Sequence, residues 1–181
     1  GLNLILQSDL VRVSNMYFVV YTVYNGSGYV VHRAVFDDAG TLLNEPLVIS
    51  DYYNNFSGIC ASVLNNDVYV AFEALDGSEH HIFAQKLVSG APTWAGKNMT
   101  PTGYEVISDL DLITNGTNSL ALTFNASIQG STSTFIQEFD TNGNWTLGNV
   151  RPFLIPEPQV YDFEYGVSSR LNSGEQVYWA T

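Results

Sequence analysis

The 181-residue chain contains one cysteine, Cys60, few basic residues and no long apolar run. A single cysteine excludes an internal disulfide framework and every multi-cysteine zinc or iron–sulfur site. Six Lys and Arg against 18 Asp and Glu give a net charge of −12, so the chain lacks the positive face that nucleic acid or an anionic membrane requires. No stretch approaches the roughly 18 apolar residues of a membrane span. We therefore expect neither a nucleic-acid partner nor membrane insertion.

The motifs of common enzyme classes are also missing. The sequence has neither a P-loop nor a dinucleotide fingerprint. Its only histidines are His32, His80 and His81, and spacing places none of them with a serine and an aspartate as a hydrolytic triad. Cys60 lies in an alternating apolar strand, where we expect a small buried hydrophobe rather than a nucleophile. The sequence therefore identifies no catalytic residue.

Apolar and aromatic residues are plentiful, at 45% and 13% of the chain. This content argues against disorder, and the length is typical of one domain with a real core. Apolar residues alternate with a period of two in runs rich in Val, Tyr and Phe, and no 3.6-residue stripe stands out. Gly–Asn and Gly–Asp turn signals separate the runs. The pattern predicts an all-β chain with antiparallel strands.

The alternating runs recur at a nearly constant interval. Their aromatic anchors are spaced by 51, 52 and 55 residues: Tyr21, Phe72, Phe124 and Trp179. Anchors of a second family of runs are spaced by 51 and 52 residues: Phe36, Leu87 and Phe139. The two independent sets of anchors recur with the same spacing, which indicates an internal repeat.

Each repeat has four strand candidates, which is typical of a propeller blade, a small sheet packed face to face with its neighbours around an axis. The second family of runs carries a glutamine and then a turn glycine, in Phe135–Asp140 with Gly143 and in Ile82–Leu87, and more weakly in Ala34–Asp37 with Gly40. In these features the chain resembles the β-propeller repeats of bacterial secreted and surface proteins. The resemblance implies a β-propeller or partial propeller with about 3.5–4 four-stranded blades.

We expect one propeller-like domain over residues 1–181. Its repeats are predicted at 8–50, 57–100 and 107–156, with an incomplete one at 161–181. Residues 1–7 match the outer-strand class and are predicted to close the last blade, which would hide two sheet edges. The last blade would still lack a strand. The finished ring therefore calls for a second copy of the chain, the rest of a longer propeller, or a small four-bladed closure.

Acidic residues in the predicted inner strands are the candidate metal site. Asp109 and Asp111 alternate with leucines, which puts both carboxylates on one face of a regular strand. Asp162 and Glu164 repeat the pattern one blade later. In a propeller the first strand of each blade lines the central channel. Four carboxylates at that channel would raise one another's pKa values or bind a cation. We expect calcium as the ion and no other cofactor. A carboxylate pair is also the equipment of a glycosidase.

Aromatic residues in predicted loops are the candidate ligand contacts. Trp94 and Trp145 occupy equivalent turns 51 residues apart, and Tyr52 and Tyr53 lie in an Asn-rich loop. Aromatic rings beside Asn and Asp are used by sugar-binding and protein-binding surfaces alike. Packing between repeats would account for the two tryptophans equally well.

These features predict a non-enzymatic binding or assembly module whose partner is a protein or a glycan. The resemblance to secreted and surface proteins implies a location outside the cell. The alternative interpretation is a carbohydrate-binding, lectin-like propeller, or a glycan hydrolase that uses the channel carboxylates.

Overall fold

A computed structural model describes residues 4–24, 26–51, 55–76, 78–93, 96–100, 105–115, 118–128, 131–146, 151–152, 167–172 and 175–180. Within these ranges every regular element is a β-strand, and all strand pairs are antiparallel. The prediction of an all-β antiparallel chain is confirmed.

The described strands form three successive sheets and a hairpin. The first sheet runs in the order β1 (Leu4–Val13), β2 (Met16–Tyr24), β3 (Tyr29–Asp37) and β4 (Leu42–Val48). The second contains β5 (Phe56–Leu64), β6 (Asp67–Asp76) and β7 (Glu79–Val88), with the short strands β8 (Ala91–Pro92) and β9 (Lys97–Asn98) both paired to β7. The third contains β10 (Glu105–Asn115), β11 (Ser119–Ile128), β12 (Ser131–Asp140) and β13 (Arg151–Pro152). The hairpin joins β14 (Val167–Asn172) to β15 (Glu175–Ala180).

Tight turns between consecutive strands use residues that tolerate a positive φ. The β5–β6 turn places Asn65 and Asn66 at φ values of 55° and 66°. Two consecutive positive values are the pattern of a type I′ hairpin turn, whose twist matches that of the flanking strands. Asparagine adopts this conformation more readily than most residues. The Asn–Asn pair therefore sets the register of β5 against β6.

The sheets repeat one pairing register. Tyr21 lies opposite His32, Phe72 opposite Phe83, and Phe124 opposite Phe135. These pairs are separated by the 51- and 52-residue steps of the sequence. The sequence repeat therefore corresponds to a structural repeat across the first three sheets.

The core lies between sheets rather than within one of them. One cluster joins the first and second sheets and includes Val20 and Phe72, while another joins the second and third and includes Ala71 and Phe124. Strand β6 contributes to both clusters, and its residues 68–74 are all buried. A strand covered on both faces has no solvent side, which explains the apolar run Val68–Phe72.

The N-terminal strand differs from the expectation for residues 1–7. Over its described part this segment is the beginning of β1 and pairs with β2 within the first sheet, so it is not a separate outer strand. The sequence predicts separate strands at Leu2–Gln7 and Leu10–Ser14, with the polar residues Ser8 and Asp9 between them. In the structure β1 is continuous through this segment. The register shift between Ile5 and Ser8 marks a β-bulge within the strand. The Gln7 amide donates to Thr22 Oγ1 at 3.2 Å, which satisfies the backbone at the bulge.

Cationic side chains link neighbouring sheets at the turns between the third and fourth strands. Arg33, only 8% exposed, donates from Nε to the Gly90 carbonyl oxygen of the second sheet at 2.7 Å. Lys97 of the second sheet donates in the same way to the Asn142 carbonyl oxygen of the third. Each cation thereby satisfies a turn carbonyl across an inter-sheet boundary.

We expect Arg33→Met to lower the free energy of unfolding by about 2 kcal/mol, because it leaves a buried carbonyl oxygen without its charged donor. Urea denaturation measures the loss. The matched control is Arg12→Met, which breaks the ion pair with Asp38 at 3.0 Å, where both side chains are about half exposed. That variant should lose only about 0.5 kcal/mol. Equal losses in the two variants would contradict a special role for the inter-sheet bond.

Candidate functional site

The first strands of the three sheets lie side by side. Strand β5 contacts β1 on one side and β10 on the other. Each of these strands has a register shift in its first half, between Ile5 and Ser8, Phe56 and Gly58, and Val106 and Asp111. Bulges are common beside functional sites, because they redirect side chains. The bulged ends of the three strands therefore define the candidate site.

Asp9 joins the first sheet to the second. One carboxylate oxygen, Oδ2, accepts a hydrogen bond from the Ala61 amide of β5 at 2.7 Å. The other, Oδ1, accepts from the Leu10 amide at 2.7 Å. Charge-assisted bonds of this kind are stronger than neutral ones. Asp9 is therefore held rigidly between β1 and β5.

Asp111 of β10 is a partly buried carboxyl on the other side of β5. Burial raises its pKa, a hydrogen bond that its Oδ1 accepts from the Leu112 amide at 2.8 Å opposes this, and the charge of Asp9 raises the pKa further. The net pKa lies above the ordinary aspartate value. The charge of Asp9 in the first sheet thus acts on Asp111 in the third.

Cys60 of β5 lies within this acidic environment. Burial raises its thiol pKa well above the ordinary value, and the charges of Asp111 and Asp9 add to the effect. The thiol contacts the Ala71 carbonyl oxygen at 3.7 Å. A protonated, fully buried thiol is a poor nucleophile. The structure thus places Cys60 in the core, in keeping with its alternating apolar surroundings in the sequence.

Asp109 lies in the irregular part of β10, where it is exposed, whereas Asp111 is partly buried. The extra residue of the bulge interrupts the alternation, and Asp109 adopts a φ of 59°. Its exposed carboxylate accepts from Asn125 Nδ2 at 2.7 Å, and Asn125 Oδ1 accepts from Thr134 Oγ1 at 2.6 Å. This chain of donors fixes the orientation of Asp109, while its second oxygen has no hydrogen bond to any described residue.

The remaining predicted metal and loop residues fall outside the part of the chain that the structure describes. These are Tyr52, Tyr53, Trp94, Asp162 and Glu164. Among the described residues, no group of three or more His, Cys, Asp or Glu side chains is arranged to hold a metal ion. Calcium binding by Asp109 and Asp111 with the later acidic pair therefore stays a prediction.

Trp145 lies away from the carboxylates. It pairs with Phe139 in an isolated bridge, and their rings meet edge to face at 6.1 Å. Phe139 lies opposite Leu120, near the start of β11, whereas Asp109 contacts Asn125, nearer its end. The two sequence candidates therefore sit towards opposite ends of the third sheet. Trp145 is 38% exposed, so packing covers most but not all of it.

A row of aromatic rings at the bulged end was missed from the sequence. Tyr24, which is 40% exposed, packs on Tyr29 at 5.0 Å, and Tyr29 packs on Phe56 at 6.2 Å. The Tyr24 hydroxyl donates to the Gly26 carbonyl oxygen at 3.2 Å. The available signal was the Gly-rich hairpin turn, which places Tyr24 directly opposite Tyr29. Asp9 was missed because the first repeat has no second acid to mark it.

Comparisons with known proteins identify a fold and no family. No protein-family model matches the sequence, and no curated protein sequence is similar to it. Among solved structures, the chain is similar to an endo-arabinase from Bacteroides thetaiotaomicron VPI-5482, with a TM-score of 0.56 and 12% sequence identity. The match covers 96% of this chain and 73% of that one. At this identity the likeness shows the fold alone, which is all-β and β-propeller-like.

The described residues contain no helix that is long and apolar enough to cross a membrane.

We expect Asp111→Asn to stabilise the protein at neutral pH. A carboxyl whose pKa is higher in the folded than in the unfolded state favours folding when protonated, and this contribution is lost as pH rises through the folded pKa. The amide carries no charge and can still accept from Leu112. Urea midpoints should therefore show a gain at pH 7 that shrinks as pH falls towards about 4.

The control for this pH profile is Asp51→Asn, a change at an exposed carboxylate. Its difference from the wild type should vary little over the same pH range. A gain for Asp111→Asn that is larger at acidic than at neutral pH would contradict the sign given above.

Proposed function

We propose that this chain is an extracellular carbohydrate-binding protein with a propeller-like fold, and that its ligand contacts the bulged ends of β1, β5 and β10. The observation that carries the proposal is that Asp9 of the first sheet bonds to β5 of the second sheet and that its charge acts on Asp111 of the third. Carboxylates on the first strands of stacked sheets are suited to polar ligands with several hydroxyl groups. This supports the carbohydrate alternative over a general protein-binding module.

The chemistry of these carboxylates favours a neutral glycan. Carboxylate oxygens accept hydrogen bonds from sugar hydroxyls, and Asp109 presents an oxygen whose direction Asn125 holds. Negative charge at Asp9 and Asp109 and the net charge of −12 would repel a uronic acid. Tyr24 supplies an exposed ring at the same end of the sheets for stacking against a sugar face.

The structural neighbour supports the same class of ligand. Its name describes an endo-arabinase, a carbohydrate-acting protein, and the match extends over 96% of this chain. A shared fold hosts many functions, so the site residues rather than the likeness carry the argument. A bacterial glycan-acting neighbour is also consistent with a role outside the cell.

We propose that the three sheets are propeller blades and that β14 and β15 belong to a fourth. The outward face of the first sheet carries exposed apolar side chains, with Ile5 58% and Leu10 55% exposed. An apolar sheet face is stable when another sheet covers it. A second copy of this chain or the rest of a longer propeller would complete the ring.

Binding without catalysis is the function that the geometry favours. Both oxygens of Asp9 already accept backbone hydrogen bonds, so this carboxylate is engaged in holding β1 to β5. The second candidate function is glycan hydrolysis, and the raised pKa of Asp111 favours it. A carboxyl that keeps its proton to higher pH is suited to protonate a leaving oxygen.

Glycan arrays and calorimetry with the wild-type protein test the binding proposal. We expect neutral oligosaccharides to bind and uronic-acid oligomers to bind more weakly. Asp109→Asn should weaken binding by about tenfold, the equivalent of one lost charge-assisted hydrogen bond. Glu45→Gln, at an exposed acid on the outer strand β4, is the matched control and should bind normally.

Absence of glycan binding by the wild type would refute this function. Binding that survives Asp109→Asn and Asp111→Asn but is lost in Trp145→Ala would move the ligand to the other end of the sheets.

Hydrolysis is tested with the same oligosaccharides by measuring the release of reducing ends. If the chain is an enzyme, Asp111→Asn should reduce turnover by at least 100-fold and retain binding, because the amide cannot donate the required proton. We expect instead no turnover by the wild type. Sustained release of reducing ends that Asp111→Asn abolishes would replace the binding function with a hydrolytic one.

A further inference from the structure

The exposed apolar side chains of this protein are concentrated on the first sheet. Among the described residues, every exposed large hydrophobic side chain except Val88 and Trp145 lies in β1, β2 or β4. Leu10 of β1 and Val48 of β4 are examples, with exposures of 55% and 41%. Apolar side chains that are collected in one area mark an interaction surface, whereas scattered ones do not.

The structural repeat identifies the outward face of the first sheet. Phe72 packs on the first sheet and its equivalent Phe124 packs on the second, so each faces the sheet that precedes it. Tyr21 is the equivalent residue of the first sheet, and alternation places it on the face opposite Val20, which packs on the second sheet. The outward face is therefore the face that a preceding sheet would cover. It includes Leu10, Tyr17, Val19, Tyr21, His32 and Val48.

This face is more exposed than its equivalents in the other two sheets. Leu10 is 55% exposed, whereas Leu112, at the same place in the third sheet, is 3% exposed. Tyr21 and His32 are partly exposed, whereas their equivalents in the second and third sheets are buried phenylalanines. An apolar sheet face is stable when another layer covers it, so a further surface is required here.

The residues of the outward face are suited to a cover that associates and dissociates. At the two covered boundaries, two phenylalanine rings stack across neighbouring strands at 5.6 and 6.0 Å. On the outward face Tyr21 stacks on His32 at 5.5 Å. Tyrosine and histidine have an apolar body and a polar tip, so they tolerate both water and an apolar contact. A permanent cover within one chain would favour the phenylalanines of the other boundaries.

Charge and area both allow a second copy of the chain on this face. The net charge of −12 makes copies repel each other over most of their surface. At the outward face, however, Arg12 and Asp38 neutralise each other in an ion pair at 3.0 Å, and Arg12 also lies over the Tyr17 ring at 5.4 Å. Copies therefore approach with least repulsion where the surface is apolar and locally neutral.

The size of the face is sufficient for a specific interface. Strands β2 and β3 have nine residues each. At about 3.3 Å per residue, and with four strands about 4.8 Å apart, the face measures roughly 30 by 19 Å. Two such faces in contact amount to about 1,100 Å² of flat area, above the roughly 1,000 Å² that a specific interface requires.

The far side of the third sheet does not offer a second patch for head-to-tail association. Ala121 and Thr123 alternate with Leu120 and Leu122, which pack on the second sheet, and so belong to the far side. Both are already buried, with exposures of 0% and 1%. The outward face of the first sheet therefore has itself, on another copy, as the matching apolar surface.

We propose that the outward face of the first sheet is the interface of a two-fold dimer, in which it packs against the same face of a second copy of the chain. A two-fold contact uses one patch on both copies and closes after two, so the association stops at the dimer. The proposal rests on the sheet stacking proposed above, which it deepens by naming the cover, and it does not depend on glycan binding.

Sedimentation equilibrium over a range of protein concentrations tests the dimer. The wild-type mass should rise from one chain to two and no further, and added salt should favour the dimer, because it screens the repulsion between acidic copies. Val48→Glu should weaken association by at least tenfold, since it places a charge in an apolar contact. His32→Phe restores the ring found in the other two sheets and should strengthen association by about tenfold.

The matched control is Val88→Glu, at a valine of the second sheet that is 39% exposed, which should dimerise like the wild type. Val48→Glu should keep the wild-type urea midpoint in dilute solution, because Val48 is exposed in the single chain.

A wild type that stays monomeric at every concentration would overturn the proposal and assign the face to the rest of a longer propeller. A dimer that Val88→Glu disrupts and Val48→Glu leaves intact would also overturn it, and so would growth beyond two copies. Calorimetry with the glycan bound by the wild type should give the same affinity for Val48→Glu. Loss of the dimer and loss of the proposed glycan binding are therefore separate results.

Discussion

Face-to-face stacking of small twisted sheets is the constraint on which the rest of this structure depends. A small sheet cannot bury both of its faces by itself. Both faces of the second sheet are buried because it lies between the first and third sheets. Strand β6 supplies Phe72 to one boundary and Ala71 to the next. At the boundary between the first and second sheets, the buried Arg33 donates to the Gly90 carbonyl oxygen, which stacking would otherwise leave without a donor. Apolar packing and the hydrogen bonding of the buried Arg33 therefore both occur between sheets.

Stacking also determines where chemistry can occur. Because the sheets pack in register, the bulges of β1, β5 and β10 fall at the same end, and the polar residues beside them come together from separate repeats. Asp9 reaches the backbone of the second sheet, and its charge acts on Asp111 of the third. The candidate site is therefore formed by the three stacked sheets together and by no single sheet.

The sequence predicted the repeating parts of the fold well because side-chain alternation and residue spacing are local. The aromatic anchors Phe72 and Phe124 are completely buried, and they pair identically with the next strand of their sheets. Prediction failed at the irregular places. The sequence predicts a separate outer strand at residues 1–7, but the described part of this segment continues into β1 through a bulge. No sequence pattern marks a bulge of this kind, since its single extra residue is polar like a turn.

What the sequence determined by itself is the strand class, the repeat length of 51 to 52 residues and the acidic character of the chain. Each of these follows from the order of residues along one strand or hairpin. Only the tertiary structure decided that Asp9 bonds to Ala61 of the second sheet, that its charge acts on Asp111 of the third, and that Trp145 lies towards the other end of the third sheet. The physical reason is that charge interaction and burial depend on separation in space, and stacking brings together residues that lie some 50 or 100 positions apart in the chain.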